Sequence, residues 1–109
     1  MKWSEAMTMN KPQTSSSGAR ILRVLKALRG HTLNGVSNSD LAKALDESPA
    51  NINRALNTLI EEGLAQKLDN GRFSLGVQVL QIAVAHSNEM ARAQGRIDEL
   101  NQRILAGSR

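Results

Sequence analysis

Apolar positions recur at helical spacing in three successive stretches, alternate with polar ones in two short runs, and return to helical spacing toward the C-terminus. From Ala19 to Arg29, Ile21, Leu22, Leu25 and Leu28 share one helical face, and Arg20, Arg23, Lys26 and Arg29 wrap the other side. Gly30 is placed to end this first helix. A polar loop follows, with Val36 as a brief extended segment. Ser37 is an N-cap candidate with Asp40 three residues later, and Leu41, Ala42 and Leu45 give a second helix its buried side as far as about Asp46. Ser48-Pro49 reads as N-cap and first helical residue of a third helix. That helix runs through Ile52, Ala55, Leu56, Leu59 and Ile60 and closes at Glu62-Gly63. Two helices separated by a break of about three residues form a helix-turn-helix pattern.

The runs LAQKL and RFSL flank Asp69-Asn70-Gly71, and an Asn-Gly pair between such runs predicts a hairpin, since both residues tolerate positive φ. Gly76 introduces a last helix from Val77 to about Ala106, roughly 30 residues and about 45 Å long. Its first part (Val77, Val79, Leu80, Ile82, Ala83) is expected to pack on the domain. Farther on, Met90, Ala93, Ile97, Leu100 and Ile104 fall at alternating spacings of three and four, a short heptad stripe interrupted by Gly95. The fold class is therefore mainly α: a winged helix-turn-helix of three helices and a two-stranded wing, followed by a long C-terminal helix. The expected division is a polar arm over residues 1–17, the winged domain over 18–76 and an oligomerisation helix over 77–109.

Composition narrows the function. Of 109 residues, 40% are apolar but only 2% aromatic, so the core rests on Leu, Ile, Val and Ala. One Trp, one Phe and no Tyr cannot supply the stacking platforms of single-stranded nucleic-acid modules. The absence of cysteine excludes disulfides and thiolate metal sites, and His31 and His86 are too few for a metal site of their own. No paired carboxylates, activated nucleophile or phosphate loop appears, so no catalytic residue, cofactor or metal is expected. No signal peptide or membrane segment is evident, which points to the cytoplasm.

At this point the residues resemble the helix-turn-helix domain of IclR-type bacterial regulators. SDLAKAL, ESPANINRALNTLIEEGLA and LDNGRFSLG followed by VQVLQIA match the family's turn, its recognition helix ending in Glu-Glu-Gly and its Asp-Gly-Arg-aromatic wing. The resemblance spans about Ala19 to Ala85 and implies binding of double-stranded DNA. The family's effector-binding domain has no counterpart in these residues, so no small-molecule sensor is implied. Pro49-Ala50-Asn51 also departs from the usual start of the recognition helix, so base preference is not inherited.

Candidate DNA contacts follow from what a groove demands. On the third helix they are Ser48, Asn51, Asn53, Arg54, Asn57 and Thr58: Asn suits adenine and Arg suits guanine or phosphate. Asn51, Arg54 and Thr58 are expected opposite the core, with Asn53 and Asn57 on a flank. Arg20, Arg23, Ser37 and Ser39 are candidate phosphate contacts, and Lys67, Asn70 and Arg72 are the wing candidates. The charge is unevenly spread. Residues 1–36 hold six Lys/Arg against one acid, and residues 37–63 hold two against five. The arm and first helix are thus expected to grip the backbone while a nearly uncharged helix reads bases. Met90, Ala93, Ile97, Leu100 and Ile104 are the candidate homodimer seam, and the family resemblance implies Leu22, Leu25 and Leu28 of the first helix as a further surface. The leading expectation is a small sequence-specific transcriptional regulator. A phage or mobile-element accessory DNA-binding protein and a winged-helix protein adaptor are the alternatives.

Overall fold

Among the described residues, three of the four helices begin on a serine hydroxyl that accepts a hydrogen bond from a backbone N–H three residues on, so capping chemistry sets the frame of the molecule. The computed structural model describes residues 12–108. Helix α1 spans Ser16–Ala27, α2 Asn38–Leu45, α3 Pro49–Glu61 and α4 Val77–Gly107; strands β1 (Ala65–Lys67) and β2 (Phe73–Leu75) form an antiparallel hairpin. Ser15 caps α1, which therefore starts inside the Ser run assigned to the arm and ends at Ala27, before the expected Arg29. The arm's residues 1–11 lie outside the described residues.

The turn between α2 and α3 is the expected three residues, Asp46 to Ser48. Asp46 takes φ 52° and ψ 52°, a left-handed conformation that its short polar side chain tolerates. Ser37 caps α2, Ser48 caps α3, and Asn38 Nδ2 donates to the Pro49 carbonyl at 3.4 Å, tying the two helix starts together.

The hairpin pairs Ala65 with Leu75, Gln66 with Ser74 and Lys67 with Phe73. Its loop is the expected Asp69-Asn70-Gly71. Gly71 N–H donates to the Leu68 carbonyl, Leu68 N–H donates to Arg72, and only Gly71 has positive φ (83°). This is a three-residue loop with its left-handed residue last, and Asn70 stays at negative φ. Val36 bridges Phe73 on the far side of β2, as expected of a brief extended segment.

The core gathers Val24 and Leu28 of the first helical region, Val36, Leu41 and Ala42, Ile52, Ala55, Leu56 and Leu59 of α3, and Ala65 and Phe73 of the hairpin. Helix α1 packs chiefly on α3. Its buried line is Val24 and Leu28, and Leu22 is 57% exposed, because a face centred on Val24 turns Leu22 away. Leu28 is fully buried and unavailable as a dimer surface.

Helix α4 contributes no buried residue. Val77, Leu80 and Ile82 are exposed and only Val79 is half-buried, so its first part does not pack on the domain as expected. The helix leaves the hairpin at Gly76 and runs outward, drawing the molecule to 67 Å in its longest dimension. Among the described residues, no helix is long and apolar enough to cross a membrane.

Candidate nucleic-acid interface

Helix α3 is a core wall on one side and a polar surface on the other. Burial of Ile52, Ala55, Leu56 and Leu59 fixes its rotation, and Asn53, Arg54, Asn57 and Thr58 are exposed. The buried side is the expected one, but the polar residues fall differently around it. A shallow cleft is lined by Ser17, Arg20 and Ile21 of α1 together with Asn51, Arg54, Ala55 and Thr58. Asn51 and Thr58 therefore lie on the flank toward α1, and Asn53 and Asn57 occupy the open side with Arg54 between. The reason is helix geometry: at about 100° per residue, Asn51 and Thr58 lie roughly a quarter turn from the line of Ile52, Ala55, Leu56 and Leu59 and not opposite it.

Asn51 is committed within the protein. Its Nδ2 donates to Glu47 Oε2 at 3.0 Å, and its Oδ1 accepts from Arg54 Nη2. The other Glu47 oxygen accepts from Arg20 Nε at 3.0 Å, a salt bridge whose side chains are 29% (Arg20) and 18% (Glu47) exposed. The Asn51 hydrogen bond, followed by that of Arg20, holds the Glu47 carboxyl below the usual carboxylate range, with burial opposing. Its contribution to folding is present above the ordinary carboxylate range and is lost as pH falls through the lowered value. Nothing in the sequence flagged Glu47, because Arg20 lies 27 residues away.

The remaining candidates fall into three groups. Ser37 and Ser48 are engaged as caps, and Ser39 Oγ lies 3.3 Å from Ser37 Oγ. Thr58 Oγ1 donates to the Arg54 carbonyl at 3.0 Å. Arg23 is exposed and lines a basic cleft with Lys26, Arg29, Ala27 and Leu45, away from the Arg20 cluster. Wing residues are tied down more than expected. Lys67 Nζ sits 5.8 Å from the centre of the Phe73 ring. Asn70 donates to the Asn34 carbonyl at 3.1 Å and accepts from Arg72 N–H at 2.9 Å. Arg72 Nε donates to the Gly35 carbonyl at 3.1 Å, a bond that uses one of its five N–H donors. The wing is thereby fastened to the loop that follows α1.

Met90, Ile97, Leu100 and Ile104 are 52–60% exposed, and Ala93 is exposed beside them. Gly95 has open space around it and sits on the opposite side of α4, so it does not interrupt the stripe.

Comparison with known proteins agrees with this geometry. Residues 17–69 match the family described as the IclR helix-turn-helix domain. HmgR from Pseudomonas aeruginosa superposes with a TM-score of 0.62 at 27% identity, over 71% of this chain and 33% of its own. A Rhodococcus sp. RHA1 protein described as a transcriptional regulator gives 0.53 at 33% identity, over 62% of this chain and 26% of its own. An IclR homolog from Microbacterium sp. strain HM58-2 shares the fold, with a TM-score of 0.60 at 20% identity over 73% of this chain and 33% of its own. No curated protein matches the sequence at a significant level. This chain spans a third or less of the length of these solved relatives. The capped three-residue turn, the wing paired to Val36 and the match over residues 17–69 together make this segment an IclR-type winged helix-turn-helix, a DNA-binding kind of domain.

Proposed function

We propose that the protein binds double-stranded DNA at specific sequences as a transcriptional regulator, with α3 in the major groove. The observation that carries this reading is the open side of α3, where Asn53, Arg54 and Asn57 are exposed on a helix whose other side is locked into the core. Asparagine is a poor helix former, and no packing requirement accounts for this pair. Both amides suit bidentate contact with adenine, and Arg54 suits guanine or a phosphate. Arg23, the start of α2 at Ser37 and Ser39, and the unused donors of Arg72 are the backbone contacts in this reading.

The test is fluorescence anisotropy on random-sequence and selected duplexes across a salt series. Asn57→Ala is expected to weaken selected-site binding by about 1–3 kcal/mol while changing random-duplex binding little. Equal loss on both duplexes contradicts base reading, and no duplex binding at any salt favours an adaptor role.

Pairing of two copies through α4 belongs to the same reading, since one domain contacts too little DNA for tight specific binding. Ile97 and Ile104 alternate with Leu100 in the order that favours two parallel strands. Ile97→Asp with Leu100→Asp is expected to give a monomer in sedimentation at tens of micromolar. The domain's melting temperature is expected to hold, because α4 shares no core with it.

A further inference from the structure

Arg20, Glu47, Asn51 and Arg54 form a continuous chain of side-chain hydrogen bonds across the cleft between α1 and α3. A carboxylate here is out of place on a surface meant to meet a polyanion. Yet each Glu47 oxygen is bonded to a group that suits a phosphate: a guanidinium Nε and a side-chain amide. Glu47 also directly precedes the N-cap Ser48, at the end of α3 where free backbone N–H groups favour negative charge. Two bonded donors and a helix start are what a DNA phosphate would find at this place.

We propose that Glu47 is an internal stand-in for phosphate, holding Arg20 directly and Arg54 through Asn51 until DNA displaces it. The inference rests on the DNA-binding reading above. A random duplex leaves these bonds closed, because only a site that offers base contacts to Asn51 or Arg54 offsets the cost of breaking them. Glu47 thus acts as a positioning residue that suppresses random binding and widens discrimination. The partial exposure of the pair keeps the lock weak enough to open.

Glu47→Gln keeps an acceptor for Asn51 and removes the charge. It is expected to bind random duplex about fivefold tighter at about 50 mM salt, with a log–log salt slope steeper by about 0.9 as Arg20 reaches a phosphate. The ratio of selected-site to random affinity is expected to fall several-fold. Adding Arg20→Gln to that variant should return the slope to the wild-type value, which a merely structural role for Glu47 would not produce. Should Glu47→Gln fail to fold, Glu47→Asp provides the same comparison. It keeps the charge but is one methylene too short to bridge both partners, so the steeper slope is again expected. An unchanged slope in the folded variant, with wild-type protein binding duplex, overturns the inference alone. A wild-type protein that binds no duplex overturns the DNA reading and this inference with it.

Discussion

Leu56→Ala is expected to remove about 2–5 kcal/mol of stability, the range for truncating a fully enclosed leucine. Leu56 is completely buried, and α3 supplies four of the eleven core side chains found among the described residues. Among the described residues the core has a single aromatic, Phe73, and its neighbours are aliphatic side chains around a rigid helix, so little can move into the gap. A domain of this size has a total stability of roughly 3–10 kcal/mol, at about 0.05–0.15 kcal/mol per residue. The loss is therefore a large fraction of the whole. Thermal unfolding followed by circular dichroism at 222 nm should show a midpoint at least about 8 °C lower, since each kcal/mol shifts a domain of this size by about 4–8 °C. A shift under about 4 °C would mean that α3 does not depend on this side chain for its seat. DNA binding should fail in the same temperature range, because the core wall and the proposed reading surface are one helix.

Gly76→Ala is the second large effect. A Cβ at Gly76 would lie 2.3 Å from the Gly63 carbonyl oxygen and 2.9 Å from Ala65 N. Both are backbone atoms at the exit of α3 and the start of β1, and neither can swing aside as a side-chain tip would. Gly76 N–H also donates to Leu64, and Gln78 N–H to that same Gly63 carbonyl, so relieving the clash breaks the junction between α3, the wing and α4. The expected cost is about 1–3 kcal/mol or more, the range for forcing extra volume into a close-packed place. In urea titration the midpoint should fall with the slope unchanged. A variant as stable as the parent would show that the junction tolerates displacement.

The elements were legible in the sequence where local chemistry decides them. Ser37, Ser48 and Pro49 mark helix starts by what they bond or cannot bond, and the spacing of Ile52, Ala55, Leu56 and Leu59 fixes α3. The residues that failed are those whose fate depends on a distant partner. Leu22 belongs to the helical face by spacing, but Val24 wins the core position, and no local rule ranks the two. Asn70 and Arg72 look like free wing-tip groups until the loop at Asn34 and Gly35 is brought beside them. Val77, Leu80 and Ile82 have the pattern of a packed face, yet the wing ends before it could cover them. In the candidate site, the residue types were readable but their commitments were not: Asn51 was foreseen as a reader, and its bonds to Glu47 and Arg54 were not.

Helix α4 has a further consequence. Its 31 residues have no side chain in the core and no side-chain cap at Gly76, so the folded domain supplies only one end of it. The order of the remainder rests on its own backbone bonds and on whatever covers the stripe from Met90 to Ile104. If a second copy covers it, the amount of helix in the molecule becomes a function of its concentration. Dilution would then melt the tail from the far end toward the wing, leaving the winged domain intact but alone.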